Sequence, residues 1–236
     1  MVSSTTKTAI TMVVLTLLIA PVKARRLFAA EVIDRIVATV NGRIILQSDL
    51  DEALSYEALL NGRSLSEFTD VDRRTVLDRL IDQELLGEQT KAADAQQASR
   101  EEAAKRVTEA RKLYPEAATE AAWQAVLARY RLTESDLLDN VQKQLDLMRL
   151  VDARLRPSIQ IDSKSIEAYY RDKFVPQLEK SGAGEIPLAD VSAKIRELLT
   201  EQKVNELLVS WLQTLRSESD VHIPGQPQSA AGVEAR

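Results

Sequence analysis

Apolar residues recur at helical spacing along most of this chain, and the exception lies near its start. Residues 36–52 read IVATVNGRIILQSDLDE. β-Branched residues flank Asn41-Gly42, the preferred pair for a two-residue turn in which both central residues take positive φ. The pattern predicts a hairpin, Ile33–Val40 against Arg43–Gln47. Beyond it the 3.6-residue period takes over. Ser48 and Asp51 have capping-box spacing and predict a helix that ends at Asn61-Gly62. Val76, Leu77, Leu80, Ile81 and Leu85 stripe a second helix over 70–93. Ser99 with Glu102 opens a third, which Pro115 stops. A fourth carries Ala122, Trp123, Val126, Leu127 and Tyr130. Thr133 with Asp136 caps a fifth, striped by Leu138, Val141, Leu145, Met148 and Leu155 and closed by Pro157. A short sixth spans 163–174.

Residues 175–187, VPQLEKSGAGEIP, lose the period and read as a loop. The longest periodic segment follows, from Leu188 to Ser217. Val191, Ile195, Leu198, Gln202, Asn205, Leu208, Leu212 and Leu215 fall on one face of a rod roughly 45 Å long. Val221–Ile223 is short and β-like, as is Ile159–Ile161. A lone hairpin is marginal in water and needs a third strand. Val221–Ile223 is placed to supply it, because the long helix ends beside it. The expected fold is therefore mainly α: a multi-helix core with a small β-hairpin closed by a C-terminal strand.

Charge and composition narrow the function. The 236-residue chain has a formal net charge of −5. An acidic chain with scattered charge is a poor partner for nucleic acid, where basic patches supply most of the affinity. There is no cysteine, so disulfides, thiolate metal sites and a lipid-modified cysteine are excluded. The first thirty residues lack acid. Lys7 precedes the apolar run Ala9–Ala20, and Val22 and Ala24 are small residues at cleavage-site spacing, the layout of a secretory signal peptide cut after Ala24. The run is shorter than the ~20 residues of a membrane-spanning helix. Losing residues 1–24 would leave 29 basic against 36 acidic residues, a net charge of −7. An uncleaved anchor is the alternative. Residues 224–236, rich in Gly, Pro, Ala and Gln, read as a disordered tail.

Two stretches carry a family resemblance. IDRIVATVNGRIILQSDLD, 33–51, resembles the opening of the SurA-type periplasmic chaperones, and KIRELLTEQKVNELLVSWLQTLRSESDVHI, 194–223, is similar to their closing helix and strand. The resemblance implies a helical core over 31–174 completed by 188–223. It also implies an ATP-independent chaperone of the periplasm, exported by a cleaved signal, that binds unfolded polypeptides, outer-membrane proteins among them. In that family, parvulin prolyl-isomerase domains are inserted after the segment matching SIEAYYRDKF, 165–174. Here only 175–187 occupies that place. The family's isomerase sites use histidines, and this chain has one, His222. The expectation is a holdase without isomerase activity. An isomerase by membership and a membrane-tethered assembly adaptor are the alternatives.

The residues themselves offer little for catalysis. Ser4 and Lys7 lie in the segment expected to be removed. Any Ser-His or Cys-His arrangement would need His222, which sits in a structural strand. Acidic pairs such as Asp51-Glu52 and Glu101-Glu102 read as solvated helix faces. No cofactor and no metal is expected. Adaptable binding of unfolded chain uses exposed apolar and aromatic surface. The candidates are Phe68 in a polar loop, Tyr114 beside Pro115, and Trp123 and Tyr130 seven residues apart. Core packing is the alternative for the last two, and Trp211 reads as core. The oligomeric state stays open.

Overall fold

The computed structural model describes residues 34–92, 97–182, 184 and 186–225. The expected signal segment, residues 1–24, and residues 226–236 of the expected tail lie outside the described residues.

Strands β1 (Ile36–Val40) and β2 (Arg43–Leu46) pair antiparallel, with Val40 opposite Arg43 and Thr39 opposite Ile44. Asn41 and Gly42 take φ of 49° and 79°, the left-handed conformation that a two-residue hairpin turn requires. Strand β3 (Val221–His222) adds to the other side of β1, giving the order β2-β1-β3. The third strand thus comes from the far end of the chain.

Asn41 makes that closure specific. Its backbone N–H donates to the Asp220 carbonyl at 2.8 Å, and its side-chain oxygen accepts from the Asp220 N–H at 2.9 Å. Its side-chain amide donates to Glu88 Oε2 at 2.8 Å and Ser219 Oγ at 3.2 Å. One turn residue thereby joins the hairpin tip, the second helix and the C-terminal strand.

Helix α1 (Gln47–Asn61) starts two residues earlier than the Ser48–Asp51 box predicts. Asp49 reaches back to the Leu46 N–H at 2.8 Å, and Asp34 accepts from the Ser48 N–H at 3.3 Å. Two carboxylates therefore cap the first turn in place of the Ser48 hydroxyl. The bonds from Ser48 hold the Asp34 carboxyl below the usual carboxylate range. Gly62, at φ 60°, ends the helix in the left-handed form. Helices α2 (Asp70–Ala92), α3 (Arg100–Arg111), α4 (Glu120–Arg129) and α5 (Glu134–Leu155) follow. The capping boxes at Ser99/Glu102 and Thr133/Asp136 form as the sequence predicts.

Three segments depart from expectation. Residues 175–181 are helix, not loop: α6 (Ser163–Tyr169) passes through a π turn, Tyr170–Phe174, into α7 (Val175–Ser181). Pro176 has no N–H and its ring crowds the carbonyl one turn back. The wider π turn, in which Val175 N–H donates to the Tyr170 carbonyl, absorbs that crowding. Gly182, at φ 69°, then stops the helix. Ile159–Ile161 joins no strand; it follows a 3-10 turn at Arg156–Ser158. Met148, placed on the α5 stripe by spacing, is 59% exposed.

Helix α8 (Leu188–Glu218) is the long helix predicted, but its buried face is not one stripe. Val191 and Ile195 pack with Ile166 in a small cluster beside α6 and the π turn. Val204 and Leu215 belong to the main core, with Ala38, Val40, Leu54, Ile81, Leu85 and Leu150. Between these contacts Leu198 is 41% exposed and Gln202 faces solvent, as does Asn205 just beyond Val204. There Arg156 holds α8 through Glu197 at 2.9 Å and through Glu201. Near its end Arg216 pairs with Asp82 of α2 at 2.6 Å. A further core, under α3 and α4, gathers Leu59, Val107, Trp123, Leu127 and Leu137.

Replacing Asn41 tests the clasp. Asn41→Gly keeps positive φ but removes the three side-chain hydrogen bonds, and is expected to cost ~1–2 kcal/mol, since each such bond nets about 0.5–1.5 kcal/mol at most when exposed. Asn41→Ala adds the left-handed penalty of ~1 kcal/mol and should be the less stable of the two in urea unfolding. Equal stability of both variants and the native chain would show that the clasp carries no weight.

Candidate functional site

Of the four sequence candidates, Phe68 and Trp123 are buried, and Tyr114 and Tyr130 are half-buried beside Trp123. Phe68 is 8% exposed and packs in the main core. The Arg63 guanidinium, 4.4 Å from the ring centroid, roofs it. A loop aromatic expected at the surface is therefore buried, because the 3-10 turn Leu65–Glu67 folds it under α1 and α2. Trp123 is 1% exposed, with Arg111 at 5.7 Å over its ring. Tyr114 and Tyr130, half-buried, sit against it: Tyr114 lies 6.3 Å from each of the other two rings. The Tyr114 hydroxyl donates to the Leu59 carbonyl and lies 3.3 Å from the Tyr130 hydroxyl. Burial, then the bond to Tyr130, pushes the Tyr114 hydroxyl up. These three rings fix the α3–α4 layer onto α1. Trp211 packs half-buried on the main core, 4.7 Å beneath Arg154.

No chemistry collects around His222. It lies in β3 opposite Thr39, and its Nδ1 is buried without a hydrogen bond. Among the described residues no cluster of three metal-ligating side chains occurs, and no helix is long and apolar enough to cross a membrane.

A groove beside β2 has the geometry that the aromatic candidates lack. It encloses about 510 Å³ between β2, α1, α2 and α5. Ile45, Ala53, Leu80 and Leu147 form an apolar floor. The rim is polar: Arg43 pairs with Glu84, and Asn140 donates to Glu52 at 2.5 Å. Asp146 caps α3's approach by accepting from the Ala98 N–H at 2.5 Å, so its charge is already engaged. Lys143 completes that side.

Two features open the groove. Among the described residues β2 is an outer strand. Val40 and Arg43 close the two-residue turn, so the next residue, Ile44, turns its N–H and C=O away from β1. Its side chain is 56% exposed at the groove mouth. Gly87, in the middle of α2, supplies the other wall, and a Cβ placed there would meet nothing within 4 Å. The sequence reading missed both residues. An isolated glycine inside a helical pattern was the available signal for Gly87, since such a residue costs helix stability without some packing or functional return. For Ile44 the signal was an apolar residue on the strand whose outer edge the C-terminal strand leaves free.

Over residues 2–151 the sequence matches the family of SurA-like N-terminal domains, and the chain belongs to that family. The matched part carries the hairpin, α1 through most of α5, and the groove. No curated protein is a significant match to the chain.

If Gly87 is there for space and not for fold, Gly87→Ala should raise stability. The gain expected is ~0.5–1 kcal/mol, the ordinary helix-interior difference between the two residues, read as a higher urea midpoint with unchanged slope. A loss would mean that α2 needs glycine for packing at this position.

Proposed function

We propose that this SurA-like chain is an ATP-independent holdase of the periplasm that keeps unfolded polypeptides, outer-membrane proteins foremost, from aggregating. The observation that carries the reading is the groove at β2: an apolar floor, a polar rim and an unpaired strand edge in one place. An extended client segment adds beside Ile44, its backbone bonding to the free edge and alternate side chains entering the floor, the strand-addition mode of peptide recognition. Segments of β-barrel proteins suit it because they alternate apolar and polar residues.

The cycle is reversible burial. It needs no nucleotide, no covalent intermediate and no cofactor, and it does not isomerise prolines. Export by a cleaved signal segment would place the chain where such clients travel. Ordering a flexible client costs ~2–5 kcal/mol of the contact energy, so binding is moderate and release needs no energy source. Net negative charge keeps the free chaperone dispersed.

The test is aggregation of a urea-unfolded outer-membrane β-barrel on dilution, followed by light scattering without ATP, beside a proline-exchange assay. Suppression near stoichiometric ratio and no acceleration of proline exchange are expected. Gly87→Phe projects a ring into the groove and should weaken client affinity about tenfold, ~1.4 kcal/mol, with the melting curve preserved. Full suppression by Gly87→Phe would remove the groove from the account. No suppression by the native chain would remove the holdase, and clear proline turnover would make the protein an enzyme.

A further inference from the structure

A second groove, of about 490 Å³, lies at the open end of the hairpin, between the start of β1, the first turns of α1 and α2, and the chain leaving β3. It shares no lining residue with the groove at β2. Its walls are apolar: Val37, Leu50, Leu77 and Ile223, with Ile36 43% exposed at the mouth. Its charged lining is mainly basic. Arg35, Arg73 and Arg74 line it against a single carboxylate, Asp70, in a chain whose net charge is −5.

Three nearby carboxylates, Asp34, Asp51 and Asp72, do not line the groove, and each is hydrogen-bonded elsewhere. Asp34 is held by the Ser48 N–H, and Asp72 by Thr69, whose backbone and hydroxyl bonds keep it below the usual carboxylate range. Asp51 accepts from Gln47 at 3.0 Å and stands 3.6 Å from Arg73. Among the described residues, that leaves two guanidinium groups without a carboxylate. Among the described residues, the Arg35 side chain donates only to the neutral Gln47, at 2.7 Å. Arg74 is exposed and makes no ion pair among the described residues. Guanidinium is the group best shaped for two-point bonding to a carboxylate.

We propose that this groove is a binding site for an acidic, apolar peptide segment: apolar side chains against Ile36, Leu77 and Ile223, and adjacent carboxylates on Arg35 and Arg74. Charge complementarity selects the partner. A cationic patch on an anionic protein steers a short anionic segment locally, while the overall negative charge repels a long polyanion such as nucleic acid. A basic or neutral peptide gains the apolar contact but leaves the guanidiniums unmatched. The site would give the chain a second partner class, bound independently of clients in the groove at β2.

Fluorescence anisotropy on the full chain tests this with three labelled peptides of one apolar framework, bearing Glu, Gln or Lys at the same positions. The Glu peptide should bind at least tenfold more tightly than the other two, and high salt should weaken it. Arg74→Glu, at an exposed position, should lose that preference and favour the Lys peptide, with its melting curve unchanged. Gly87→Phe should bind the Glu peptide as the native chain does. Equal binding of the Glu and Gln peptides, or an unchanged preference in Arg74→Glu, would overturn the proposal. So would loss of binding in Gly87→Phe, which would move the peptide to the groove at β2. Binding that appears only after residues 226–236 are removed would assign the groove to the chain's own tail. Arg74-dependent flotation with anionic vesicles, without preference for the Glu peptide, would assign it to a lipid surface.

Discussion

The hairpin tip holds this fold closed. Asn41 bonds in both directions to the Asp220 backbone, across almost the whole described chain. Closing a loop of that length costs on the order of 5 kcal/mol in chain entropy. The pairing of two β3 residues cannot offset this alone. The offset comes from what the clasp aligns: Ala38 and Val40, both fully buried, lie in one core with Val204 and Leu215 of α8. Arg216 then fixes the end of α8 to Asp82. Turn, strand and helix end therefore stabilise one another. Both grooves use the hairpin as a wall, one along its outer strand and one at its open end, so each depends on this closure.

The parts of the fold legible in the sequence are those fixed by local chemistry. Asn41-Gly42 could only be a turn, and the Ser99 and Thr133 boxes mark helix starts wherever the helices pack. Closure by Val221–His222 followed from the instability of a lone hairpin. The misreadings share a different cause. Pro176 suggests a loop until the π turn before it is known, and π turns leave little trace in composition. The α8 pattern reads as one stripe because a straight helix with one partner has one apolar face. This helix serves two cores, and its buried side shifts between Ile195 and Val204.

The site was harder to read for a related reason. Large aromatics are conspicuous in sequence, but Phe68 and Trp123 are used to fasten layers. What defines the groove at β2 is a missing side chain at Gly87 and a missing neighbour for β2. Neither belongs to one segment alone. An outer strand with unpaired backbone groups is ordinarily an aggregation liability. Beside this edge Arg43 pairs with Glu84, and the rim of the groove is polar around its apolar floor.

Amide hydrogen exchange across β1 tests the closure most directly, comparing the full chain with one ending at Ser217. If the C-terminal strand and the Asn41 clasp hold the hairpin, Thr39 and Val40 should exchange only on global unfolding in the full chain. In the shortened chain they should exchange by local opening, while the helical signal is largely kept. Unchanged protection of Thr39 and Val40 after removal of the strand would show that the hairpin stands without it, contradicting a fold closed by its ends.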